Sequence, residues 1–176
     1  MKARRITMLL VGVAALLLAV RGCSRGRGEV GCPGEGTALR VDTERHVLVA
    51  CCDGRVEERF VVRLGSRGVG KRLEGDKKTP LGTYPLSPPR SSPTFGTFVP
   101  IGYPTPQQQA AGYTGSAVGV HGPHRRMRWA GPLTNLFDTT DGCVGLATDG
   151  EMERLAGWMK THGSTIPVEN EASLAS

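Results

Sequence analysis

Asp53-Gly54 sits between two runs of β-favouring residues, and it constrains the fold more than any other feature of the chain. An Asp-Gly pair readily adopts the left-handed backbone that a two-residue hairpin turn requires. Thr37 to Val41 and His46 to Cys51 precede it; Val56 to Leu64 follows, with Phe60, Val62 and Leu64 on one face. The domain therefore opens as a β-meander. The rest argues against a helical bundle: the chain holds 25 Gly and 12 Pro, which favour turns and short strands. Pro80-Leu81-Gly82 leads into a strand over Thr83 to Leu86, Ser87 to Pro93 is irregular, and Thr97 to Ile101 is a further strand.

Two helices are expected. Thr105-Pro106-Gln107-Gln108 offers a Thr N-cap, Pro at the first helical position and Gln at the third, and Gly112 ends the helix. Thr148-Asp149-Gly150-Glu151 is a second capping box. It precedes Met152, Leu155, Ala156 and Met159, which are spaced for one buried face.

The N-terminus points to a compartment. Met1 to Arg5 is basic, and Ile6 to Val20 is a mostly apolar run, the pattern of an export signal. Fifteen helical residues rise about 22 Å, short of the ~30 Å hydrocarbon core. Residues 1–22 are thus read as a signal peptide or a membrane anchor. Val20-Arg21-Gly22-Cys23 resembles a bacterial lipoprotein processing box, with Arg21 out of pattern. The folded part is expected outside the cytoplasm, periplasmic or in the cell envelope, with a lipid anchor at Cys23 as one alternative. Residues 23–36 read as a flexible linker, 37–162 as a single domain and 163–176 as a C-terminal tail. Exported chains can form disulfides, and Cys32 can pair with Cys51 or with Cys52.

Charge narrows the partners. The net charge is +6, but four basic residues and no acid lie in the first 22 positions, which leaves 18 basic against 16 acidic residues elsewhere. A folded part so nearly balanced, with only 5% aromatics, is a poor match for nucleic acid.

Two stretches carry candidate chemistry. His121 ends the apolar run Val118-Gly119-Val120, and Cys143 follows Asp141-Gly142. A thiol with a neighbouring imidazole is a nucleophile–base pair. Gly142 permits close approach of an acyl group, and the N–H groups of Gly142 and Cys143 are candidate oxyanion donors. His124 makes a His-x-x-His pair with His121, but Pro123 keeps it off a helix face, so no metal and no organic cofactor is expected. Arg125, Arg126 and Arg128 form a basic cluster on the loop between His121 and Cys143, with Trp129 and Phe137 expected to pack that loop down.

These residues, in this order, resemble the catalytic domain of bacterial L,D-transpeptidases, cysteine enzymes that remodel peptidoglycan. Their signature is a His, about fifteen to eighteen residues, then Ser/Thr-His-Gly-Cys, a hydrophobe and Asn or Arg. His121, Thr140, Gly142, Cys143 and Val144 fit it. Gly75-Asp76-Lys77-Lys78-Thr79-Pro80-Leu81-Gly82-Thr83-Tyr84 and Ile101-Gly102-Tyr103-Pro104 resemble two further blocks. Asp141 replaces the signature's second His, and Gly145 replaces its Asn or Arg; Thr-Asp-Gly-Cys resembles a branch that includes hydrolases. The resemblance implies a mainly β, twisted mixed sheet or β-sandwich with two short helices. It implies Cys143 as nucleophile and His121 as base, oriented by the Gly122 carbonyl. Thr140, Asp141 and Arg125 fall to substrate binding. Peptidoglycan stem peptides are the implied substrates and carbapenems the implied inhibitors. The implied reaction is transfer to an amine; a hydrolase of the same family and a non-catalytic wall-binding lipoprotein are the alternatives.

Overall fold

Strands β1 (Thr37–Asp42), β2 (Val47–Cys52) and β3 (Arg55–Arg63) form the expected antiparallel meander. Asp53 and Gly54 turn β2 into β3 with φ of 46° and 78°, the left-handed pair such a hairpin needs. The computed structural model describes residues 30–162 and 167–171. The signal or anchor segment, Cys23 and the ends of the expected tail lie outside the described residues.

Strand β2 is buried on both faces. Leu48 and Ala50 point into the main core with Leu39, Phe60, Val62 and Leu155. Val47, Val49 and Cys51 point the other way, against Val30 and Cys32. The alternation of a strand decides the disulfide: Cys51 faces the incoming arm and bonds Cys32, while Cys52 is a free thiol. The linker expected over 23–36 is therefore pinned at its far end, where Val30 is 1% exposed. Without that arm the second apolar face of β2 would be open to water.

The remaining strands are β4 (Gly82–Pro85), β5 (Arg90–Ser92), β6 (Gly96–Pro100), β7 (Gly119–His121), β8 (Val144–Leu146) and β9 (Pro167–Glu171). They form one mixed sheet in the order β4-β9-β1-β2-β3-β8-β7-β6-β5. The pairs β1–β9 and β7–β8 are parallel and the others antiparallel. Strand β9 corrects the expected C-terminal tail: residues 167–171 fill the gap between β1 and β4. Their polar sequence gave no strand signal; two open sheet edges recruit them. Asn170, 1% exposed, donates from Nδ2 to Pro80 O at 3.0 Å.

Both helices carry their capping boxes. In α1 (Pro106–Ala110) the Thr105 hydroxyl accepts from Gln108 N–H, and the Gln108 side chain accepts from Thr105 N–H. Ahead of α2 (Asp149–His162), Thr148 Oγ1 accepts from Glu151 N–H, while Glu151 accepts from the N–H groups of Ala147 and Thr148. Helix α2 buries Met152, Leu155, Ala156, Trp158 and Met159. Each of the larger ones contributes about 1.5–3 kcal/mol.

Candidate active site

The parallel pair β7–β8 sets the site. Val120 faces Val144 and His121 faces Gly145; one step back in that register, Cys143 faces Gly119. Cross-strand partners share a face of the sheet. The thiol and the imidazole therefore lie diagonally on one face, each opposite a glycine across the β7–β8 pair. Gly119 has no room for one: a Cβ there would lie 2.5 Å from Val99 O. Cys143 and His121 line one cavity of about 550 Å³, with Arg63, Phe95, Ala117, Thr140 and Asp141 also on its wall.

A folded loop supports the nucleophile from below. Asp76 accepts from the N–H groups of Arg72, Leu73 and Lys78 and from Lys71 Nζ. Burial alone would raise its pKa, but Lys71 and the three amides hold it well below the usual carboxylate range. The carbonyl of Lys78 in this loop lies where a Cβ on Gly142 would be, at 2.6 Å, and Gly142 has φ +124°. Only glycine fits both demands. Thr140 Oγ1 donates to Cys143 O at 2.7 Å and accepts from Gly142 N–H at 3.2 Å. The Gly142 amide, one of the two expected oxyanion donors, is thus bonded to Thr140 inside the turn. The Cys143 amide takes no part in these bonds.

The imidazole is fixed in one tautomer. His121 Nδ1 lies 2.6 Å from Gly122 O; a carbonyl only accepts, so Nδ1 carries the proton and Nε2 is the free base. Phe95 stacks on the ring at a centroid distance of 3.8 Å. Sequence reading missed Phe95, which sits in a turn without periodicity. Burial lowers the His121 pKa to about 4, the Gly122 bond opposing and the Arg63 charge adding to the fall. Burial raises the Cys143 thiol, with Asp141 adding; the Gly119 backbone, Lys71 and Arg63 pull it back. At neutral pH the pair is thus a neutral thiol and a neutral imidazole. The thiol donates to Ala117 O at 3.6 Å.

The other expected site residues divide: Asp141 stays on the cavity wall, and Arg125 does not. Asp141 is exposed, 3.7 Å from Lys77 Nζ. Arg128, on the same loop as Arg125, pairs with Asp149 at 2.7 Å. The loop carrying them is a 3₁₀ segment, Arg125–Asn135, broken at Gly131. Trp129 and Phe137 do not pack it down: they are 81% and 74% exposed. Arg63, which sequence reading passed over as a strand residue, is the guanidinium that reaches the cavity. His124 Nδ1 accepts from Arg126 N–H. Among the described residues, Cys52, Glu57 and His162 have ligand atoms within 4.8 Å of one another, and none of them lines the cavity.

Fold and cavity together define a mainly β protein with a free thiol and a tautomer-fixed imidazole in one cleft. The L,D-transpeptidase catalytic domain family matches residues 36–168, and the chain belongs to that family. Solved structures agree on the fold. The helical cell shape determining protein Pgp2 from Campylobacter jejuni is 21% identical, with a TM-score of 0.64 over 84% of this chain and 52% of its own. Bd1075 of Bdellovibrio bacteriovorus is 21% identical, with a TM-score of 0.56 over 83% and 52%. An L,D-transpeptidase from Mycobacterium smegmatis is 18% identical, with a TM-score of 0.50 over 77% and 58%. The chain thus spans little more than half the length of these proteins. Curated proteins yielded no match.

Proposed function

We propose that this domain is a peptidoglycan L,D-transpeptidase working through a thioester on Cys143. The observation that carries this reading is the buried His121, its Nδ1–H given to Gly122 and its Nε2 free, in one cavity with the free thiol. The thiol proton passes to Nε2 as sulfur attacks the carbonyl on the L-centre of the third residue of a tetrapeptide stem. The C–N bond breaks, and the terminal D-amino acid leaves with the proton from His121. An amine of another stem then displaces sulfur, and the thiol regains its proton. A neutral starting pair suits this order, because the proton moves only as charge develops. The Cys143 amide serves as the oxyanion donor. The compartment we infer lies outside the cytoplasm; the N-terminal pattern and the Cys32–Cys51 pair support it.

The test incubates the protein and Cys143→Ala with a disaccharide-tetrapeptide and reads the products by mass spectrometry. A Cys143-dependent dimer lacking one terminal residue is expected. A tripeptide without dimer would replace transfer by hydrolysis. No Cys143-dependent product, even with lipoprotein-linked peptidoglycan, would leave a binding module. Carbapenem addition to Cys143 by mass is the companion readout.

A further inference from the structure

Arg63 is a buried cation that the reaction above does not use. It ends β3, is 6% exposed, and faces Gly145 in the β3–β8 register. A Cβ on residue 145 would lie 2.7 Å from Arg63 Cγ and 2.9 Å from Cζ. The missing side chain of Gly145 is therefore what lets the guanidinium cross β8 to the cavity wall. One nitrogen is anchored: Nη1 donates to Asn135 Oδ1 at 3.0 Å and to Leu146 O at 3.3 Å. No carboxylate pairs with Arg63 among the described residues, although six other Lys and Arg side chains there do find one. Nε and Nη2 have no hydrogen bond there either. The fully buried, unpaired side-chain polar atoms among the described residues are Tyr103 Oη and Asn170 Oδ1. Arg63 Nε and Nη2 are not among them, so they open onto the cavity.

A desolvated guanidinium without a counter-ion is costly and is ordinarily paired. Its Nε–H and one Nη2–H form the planar edge that accepts a carboxylate through two parallel bonds. Its charge is felt by both the Cys143 thiol and the His121 ring. We propose that Arg63, exposed to the cavity by Gly145, is a carboxylate subsite that takes the free terminal carboxylate of the residue leaving from the acyl donor. Donors whose chain ends one residue beyond the attacked carbonyl are then preferred over longer stems, where an amide stands in that place. The substrate named here rests on the acyl-transfer reading; the carboxylate site itself does not.

Two measurements test it. In the first, iodoacetate and iodoacetamide compete for Cys143 in the full chain, read by peptide mass. The two reagents differ only in charge and attack the same thiolate, so their rate ratio cancels any change in thiol pKa. Arg63→Gln should lower the acetate-to-acetamide ratio roughly tenfold at Cys143, leave the ratio at the free thiol Cys52 unchanged, and Arg63→Lys should fall between. An unchanged ratio at Cys143 overturns the subsite. In the second, kcat/KM is compared for a tetrapeptide stem and its C-terminal carboxamide. Arg63→Gln should cost the acid about 100-fold and the carboxamide little. Equal losses would make Arg63 structural and overturn the proposal. If the wild type turns over neither stem while the alkylation ratio still falls, the acyl-transfer reading fails and the carboxylate site stands.

Discussion

The two walls of the cavity are built in opposite ways. The nucleophile wall, from Thr140 to Cys143 over the loop around Asp76, is knitted by backbone and side-chain hydrogen bonds and leaves no space for a Cβ at residue 142. The facing wall is the 3₁₀ segment and the residues after it. Asn135 and Asp138 pin its end, donating to Val61 O and accepting from Leu64 N–H. Met127, Trp129, Leu133, Leu136 and Phe137 remain exposed. The difference teaches where the geometry of the chemistry is stored. It lies in backbone contacts that tolerate almost no substitution, whereas the apolar wall has few internal contacts to lose.

The sharpest way to break this contrast is Gly142→Ala. Positive φ and the 2.6 Å approach to Lys78 O predict a loss of about 2–3 kcal/mol in urea unfolding. The same shift should lower turnover at least ~100-fold; near-normal turnover would show that the wall yields. Acid titration comes next. His121 has its folded pKa depressed from 6.5 to about 4, so the unfolded chain binds a proton first as pH falls. Stability is full above 6.5, declines through that window by on the order of 3 kcal/mol, and is flat below it. His121→Gln should flatten this part of the stability–pH curve, measured by urea midpoints. Asp76→Asn follows, with about 2 kcal/mol lost at neutral pH. Because the Asp76 pKa is depressed, its contribution is present above the ordinary carboxylate range and disappears under strong acid. The smallest effect belongs to Trp129→Ala, within about 0.5 kcal/mol by thermal unfolding. A larger loss would mean that the open wall is held as firmly as the other.

Some of this was legible before any tertiary structure. The Asp53-Gly54 turn and both capping boxes are written in adjacent residues, and they form as read. The two stretches that meet at the cavity were legible as candidates, because a His at a strand end and a Cys after Gly are local patterns. Arg63 was not. A single arginine in a strand looks like a solvent-facing residue until the register places it against a glycine from a strand more than eighty positions later. Trp129 and Phe137 misled in the other direction, since large apolar side chains read as packed and here they are exposed.

The sequence by itself determined the local geometry: where the chain turns, where helices start, and that the core is made of short strands. These depend on neighbouring residues whose energies act over a few bonds. Only the tertiary structure decided the choice of Cys51 over Cys52, the recruitment of residues 167–171 as a strand, the capture of the Gly142 amide by Thr140, and the reach of Arg63 into the cavity. Each of those is a contest between partners brought together by sheet register. Register is set by the summed burial of many distant side chains, which no single segment carries.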